Sequence, residues 1–265
     1  MRKKFLRWLM LAVPAVYILV CSGLYFQQNE LIFRPEVLPA DFRFSFPQNF
    51  SEVNVPVEGA NLSALHFTVA QPRGVVLFFH GNAGSLRRWG EVAESFTHRG
   101  YDLLAFDYRG YGKSSGKIKT ERQLHDDADR VYAYVRERYA AENIIVYGRS
   151  LGSGIAAQLA VRHTPKMLIL ETPYFSLKDL TATFYPYVPG FLLKFPLRTD
   201  LALPLVKSPV YLIHGTRDAV VPYAASERLL PLIASTKEMV TVPGGEHNGL
   251  RLTPTYNAAL DRFLR

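Results

Sequence analysis

Residues 143–163 read NIIVYGRSLGSGIAAQLAVRH. The run Asn143–Tyr147 is short and nearly continuously apolar, which suits a strand buried on both faces of a parallel sheet. Leu151–Arg162 reads as a helix. Between them stands Gly148-Arg149-Ser150-Leu151-Gly152. A strand that passes straight into a helix here must turn so sharply that the residues two before and two after Ser150 have to be small. The turn holds the serine in a strained conformation with its oxygen exposed. Behind it the helix N-terminus supplies backbone N–H groups and a positive dipole end, near any developing negative charge. The bland alternative for Ser150 is a helix N-cap at a tight turn.

The same alternation recurs outward from this unit. Val75–His80, Asp102–Asp107, Met167–Glu171, Val210–His214 and Met239–Val242 read as strands. Leu86–His98, Thr120–Tyr139, Tyr223–Ala234 and Pro254–Leu264 read as helices. Upstream, Ser51–Val57 and Leu62–Val69 flank Glu58-Gly59-Ala60-Asn61 and form a predicted hairpin. Strands alternating with helices imply right-handed βαβ units, and so an α/β fold with a mostly parallel central sheet and helices on both faces. Residues 172–208 break the rhythm with Pro173, Pro186, Pro189, Pro196 and Pro204 and many aromatics. Most connections run to about 4–6 residues, so this one is expected to hold one or two short helices over the sheet. It is either a packed excursion or a small lid whose aromatics line an acyl-binding groove.

The N-terminus has a different character. No charged residue occurs from Trp8 to Phe26, a length that fits the roughly 17–25 residues of a spanning helix. Arg2, Lys3, Lys4 and Arg7 precede it, while Gln27–Ser45 carries only Arg34 and Arg43 as cations. The positive-inside rule then predicts a single-pass protein with a cytoplasmic N-terminus and its body on the other side. A cleaved signal peptide is the competing reading, but the apolar run continues past the small residues Ser22 and Gly23. A lipoprotein anchor at Cys21 is weakened by Val20 before it. The expected layout is an anchor over 1–26, a connector over 27–50, and one α/β domain over 51–265 with its excursion at 172–208.

Charge and composition narrow the function. The 265 residues carry 31 Lys+Arg against 23 Asp+Glu; without the four N-terminal cations this becomes 27 against 23. So mild and dispersed a surplus does not suggest nucleic acid. A single cysteine excludes an internal disulfide framework and a cysteine-rich zinc site. No His/Asp/Glu cluster has metal-ligand spacing, and the glycine runs match neither dinucleotide nor Walker patterns, so no metal or cofactor is expected.

A serine hydroxyl needs a base to take its proton, and the base needs an acid to fix its tautomer. Ligands of such sheets sit beyond the C-terminal ends of the strands. His247 lies there in Gly244-Gly245-Glu246-His247-Asn248-Gly249, and Asp218 follows the strand ending at His214. Glu171 is the best rival acid. Asp107 is expected to pair with Arg109, and His80 and His214 to be hydrogen-bonded structural histidines. Arg149 either steers an anionic substrate group or is solvated. The expected oxyanion hole comprises the backbone N–H groups of Leu151 and Asn82.

In HGNAG (80–84), DYRGYGKS (107–114), GRSLGSG (148–154), HGTRDAVVP (214–222) and GGEHNG (244–249), taken in order, the chain resembles the α/β-hydrolase family. The likeness covers about residues 50–265. It is greatest to lid-poor serine-aminopeptidase-type and acyl-protein-thioesterase-like members. Glu246 before His247, and Gly249 where an aspartate is common, depart from that branch. The resemblance implies Ser150 as nucleophile, His247 as base and Asp218 as its orienting acid; the apolar N-terminal stretch and the aromatic excursion suggest esters or thioesters of a small-molecule or lipid-like acyl substrate. A peptidase or amidase on the same triad is the alternative. A non-catalytic membrane-tethered scaffold is disfavoured because the serine, the histidine and the elbow glycines are all retained.

Overall fold

The computed structural model describes residues 2–265. Met1 and the side chains of Arg2, Lys3, Lys4, Leu6, Arg7 and Leu9 lie outside the described residues, and with them the basic cluster expected to set the orientation of the first helix. In chain order the elements are α1 (Arg2–Ile32), β1 (Arg34–Pro35), β2 (Phe50–Val57), β3 (Ala60–Phe67), β4 (Val75–Phe79), β5 (Ala83–Gly84), α2 (Leu86–Trp89), α3 (Ala93–Thr97), β6 (Asp102–Phe106), α4 (Glu121–Arg136), β7 (Ile144–Arg149), α5 (Leu151–Arg162), β8 (Met167–Glu171), α6 (Leu177–Phe184), α7 (Thr199–Ala202), β9 (Val210–Gly215), α8 (Ala224–Leu229), β10 (Lys237–Val242) and α9 (Pro254–Phe263).

Eight strands form one sheet in the order β10-β9-β8-β7-β4-β6-β3-β2. Pairing is parallel from β10 through to β6 and antiparallel for β3 with β6 and with β2. The β2–β3 pair is the predicted hairpin, closed by Glu58-Gly59 with Gly59 at φ +68°, a conformation glycine adopts without steric cost. The short apolar runs are buried at every residue of β4, β6 and β8. Alternate side chains feed two cores. Val75, Leu77 and Phe79 meet Leu124, Val131 and Ile155 of α4 and α5 on one face, while Val76 and Phe78 join Phe96 of α3 and Leu260 of α9 on the other. This is the α/β-hydrolase architecture, with helices on both faces of a mostly parallel sheet.

Two boundaries differ from expectation. The helix read over 86–98 is interrupted by a tighter turn at Gly90–Val92. The segment after Phe26, expected to be irregular, stays helical to Ile32. Polar Gln27–Glu30 end the apolar run but not the helix, because Gln28 is buried there by hydrogen bonds to a distant loop. Helix α1 is long and apolar enough to cross a membrane, and Leu11, Leu19 and Phe26 are more than 70% exposed.

Candidate active site

The elbow begins where β7 runs into α5. Ser150 sits at φ 49°, ψ −117°, a positive-φ conformation that L residues rarely adopt, which stores strain at this turn. The steric demand on its neighbours is direct. A Cβ on Gly148 would lie 2.6 Å from the Ala156 Cβ, and one on Gly152 would collide with the backbone oxygens of Phe79 and His80. The Ser150 side chain does not cap α5, which removes the N-cap alternative. Its Oγ lies 3.1 Å from His247 Nε2 instead.

His247 stands in the loop after β10, partly buried, with Nδ1 2.7 Å from Asp218 Oδ2. Asp218 lies past the end of β9, and its carboxylate is fully saturated. Oδ1 accepts from the N–H groups of Val220 and Val221, both at 2.8 Å, and Oδ2 also lies 3.3 Å from His214 Nε2. Burial alone would push this carboxyl up. Hydrogen bonds from His214 and His247, the His247 charge and the Val221 N–H outweigh it and hold Asp218 well below the usual carboxylate range. His214 is fully buried between Ser226 Oγ (2.7 Å), the Val221 carbonyl (3.0 Å) and Asp218. That carbonyl only accepts, so Nε2 carries the proton and donates it to Val221, which leaves the same ring edge packed against Asp218 Oδ2 at 3.3 Å.

The rival acid is engaged elsewhere. Glu171 accepts from Arg149 Nε at 2.9 Å and from Tyr147 Oη at 2.7 Å. Arg149 is not a solvated side chain. Its other nitrogen donates to the His247 carbonyl (2.8 Å) and Asn248 Oδ1 (2.9 Å), and its guanidinium lies 4.9 Å from the Trp89 ring centroid. The expected Asp107–Arg109 pair is not formed. Arg109 makes a bidentate bridge to Asp127, while Asp107 caps the Leu86 N–H and faces buried His80 at 3.4 Å, without hydrogen-bond alignment.

Asn82 and Leu151 both line the cavity beside Ser150. Among the described residues, neither backbone N–H donates to a protein acceptor. Their peptides are held from behind. His80 Nδ1 donates to the Gly81 carbonyl at 2.7 Å, and the trans geometry of that peptide points the Asn82 N–H the opposite way. Tyr111 Oη and the Arg34 N–H bind the Asn82 carbonyl at 2.7 and 2.9 Å. A Cβ on Gly81 would lie 3.8 Å from the Ser150 Cβ, so this loop packs directly against the serine.

A cavity of about 610 Å³ opens from Ser150 beneath the excursion, with Leu177, Leu180, Leu192 and Val221 in its wall. Among the described residues that line it there is no aspartate or glutamate, and the cations are Arg34 and Lys178. No group of three or more His, Cys, Asp or Glu among the described residues is arranged to hold a metal ion.

Comparison with known proteins agrees with this architecture. The family profile described as serine aminopeptidase, S33, matches residues 70–200. An uncharacterised protein of Mycobacterium tuberculosis is 34% identical over 250 residues, covering 90% of this chain and 88% of the relative. The lysophosphatidylserine lipase ABHD12 of Danio rerio is 30% identical over 188 residues, 62% of this chain and 48% of that protein. Among solved structures, Est1E from Butyrivibrio proteoclasticus with ferulic acid bound superposes with a TM-score of 0.69 at 22% identity, over 80% of this chain and 97% of that one. The Pyrococcus furiosus esterase Pf2001 gives 0.68 at 20% identity, over 88% and 97%. Sheet order, elbow and relatives converge: this chain is a hydrolase and belongs to the α/β-hydrolase superfamily.

Proposed function

We propose that the protein is a serine esterase acting on acyl esters or thioesters of lipid-like amphiphiles. The observation that carries this reading is the continuous relay from Ser150 Oγ to His247 Nε2 (3.1 Å) and from His247 Nδ1 to Asp218 Oδ2 (2.7 Å). Ser150 Oγ attacks the acyl carbonyl carbon as His247 Nε2 takes its proton. The carbonyl oxygen becomes an oxyanion facing the free N–H groups of Asn82 and Leu151, each such donor being worth about 3–4 kcal/mol in the transition state. The C–O or C–S bond breaks, and the leaving group departs with the proton from His247. Water, deprotonated by His247, then attacks the acyl-enzyme and returns Ser150. Asp218 keeps the Nδ1 proton in place and stabilises the imidazolium.

The cavity supports an acyl substrate over a peptide. An aminopeptidase must hold a substrate ammonium, which needs a carboxylate; the described lining offers none and presents mainly aliphatic and aromatic side chains. An ester of a single long acyl chain fits such a wall, and the Danio rerio relative is named for a lysophospholipid. The test is a fluorophosphonate probe together with p-nitrophenyl butyrate and an aminoacyl-anilide. Wild-type protein should label and cleave the ester in preference, whereas Ser150→Ala should not label and should lose about 10³-fold or more in kcat. Equal labelling of Ser150→Ala, or preference for the anilide, would overturn the assignment.

A further inference from the structure

We infer that the apolar helix α1 is itself a wall of the acyl site. Its last turns and the facing excursion form a groove that takes the long acyl chain of an ester amphiphile from the bilayer to Ser150. This rests on the esterase reading above and adds where the chain lies and how it arrives.

The groove face of α1 is a single stripe: Cys21, Leu24, Tyr25, Gln28, Leu31 and Ile32. These positions recur at three- and four-residue intervals and so lie on one side of the helix. The stripe crosses a boundary in the sequence. Cys21, Leu24 and Tyr25 belong to the charge-free stretch Trp8–Phe26, whereas Gln28, Leu31 and Ile32 lie beyond it. At about 1.5 Å per residue that stretch spans nearly the whole of a hydrocarbon core about 30 Å thick. The groove therefore starts within one leaflet and ends at the reactive oxygen, along a mainly apolar wall.

The excursion is fastened to this helix. Gln28 donates through Nε2 to the Leu192 carbonyl (2.7 Å) and accepts through Oε1 from the Lys194 N–H (2.8 Å). Both ends of the Gln28 side-chain amide are thus turned to the excursion. Tyr17 Oη, deep in the apolar stretch, donates to the Tyr187 carbonyl at 2.7 Å, and Lys194 Nζ lies 4.2 Å from the Tyr25 ring centroid.

The outer surfaces match. Phe184, Tyr185, Tyr187 and Phe191 of the excursion are 51–84% exposed. Large apolar side chains left exposed together in one segment mark a membrane or partner contact. Contact with α1 points to lipid, because the helix whose Tyr17 bonds the Tyr187 carbonyl also carries bare Leu19 and Phe26 on its opposite face. Substrate that slides along α1 keeps its chain against apolar atoms from leaflet to nucleophile.

The test uses full-length enzyme in phospholipid vesicles and compares kcat/KM for p-nitrophenyl palmitate with that for p-nitrophenyl butyrate. Leu24→Trp and Leu31→Trp intrude into the groove from α1 at two depths, while Leu19→Trp faces lipid. The palmitate-to-butyrate ratio should fall by about tenfold or more in both groove variants and stay within about twofold of wild type for Leu19→Trp. Unchanged ratios in the groove variants, or an equal fall for Leu19→Trp, overturn this inference alone. A wild-type enzyme that labels with fluorophosphonate and cleaves butyrate but not palmitate also overturns it. One that neither labels nor cleaves either ester overturns the esterase reading as well.

Discussion

Arg149 has the least obvious role of any single residue near the site. It sits inside the elbow yet bonds backward to Glu171 and sideways to the His247 carbonyl, so one guanidinium holds the loop that carries the imidazole. Arg149→Ala should lower kcat by about 10–100-fold, as expected when a catalytic group shifts by about an ångström, with KM for a butyrate ester nearly unchanged. It also leaves Glu171 buried without its partner, at a cost of about 3–5 kcal/mol. Arg149→Lys should recover stability better than rate, since a single ammonium cannot reproduce the forked contact; steady-state kinetics and thermal melts separate the two effects. Asp218 is the second case. Asp218→Asn should lower kcat by about 10⁴-fold through loss of the correct tautomer of His247. Because the folded-state carboxyl is held below its ordinary value, its stabilisation is complete above the unfolded value near 4 and is lost as pH falls toward the folded one. The Tm gap between wild type and Asp218→Asn should therefore narrow as pH falls below about 4.

Among the elements, β7, α5 and the loop after β4 form one sterically interlocked unit. Gly152→Ala would drive a methyl into the Phe79 and His80 backbone, which leads into the Asn82 loop. It should cost about 1–3 kcal/mol of overpacking and lower kcat together with Tm. Gly148→Ala presses on α5 instead and should lower Tm with the smaller effect on kcat per degree lost. The strands of this unit were legible because each is buried on both faces, which leaves a short apolar run bounded by turn residues. The order Ser150, Asp218, His247 was legible because loops at one sheet edge carry them. What the sequence did not disclose depends on approach across long chain separations. His214 behind Asp218, Arg149 on the His247 loop and Arg109 on Asp127 are such contacts. The continuation of α1 to Ile32 belongs with them: hydropathy ends at Phe26, but the helix is prolonged by what Gln28 touches in the excursion.

For the whole molecule, the asymmetry of charge about α1 predicts orientation. Arg2, Lys3, Lys4 and Arg7 before the apolar stretch should stay in the cytoplasm, placing the catalytic body across the membrane. An alkaline phosphatase fused to the C-terminus, active only outside the cytoplasm, should be active, and a fusion to a fluorescent protein that matures only inside should be dark; the reverse pattern would invert the topology. One small contact then acquires a larger meaning. Directly after α1, Arg34–Pro35 pairs with Ala83–Gly84, and the Arg34 N–H bonds the Asn82 carbonyl at 2.9 Å. The apolar rod is thus joined, with only Phe33 between, to the turn that would cradle the oxyanion. A bilayer thinner or thicker than the rod makes it lean, and the lean arrives as a nudge on that cradle. Turnover of even a short, water-soluble ester should accordingly drift with the acyl length of the host vesicles, making the enzyme a gauge of the sheet it is planted in.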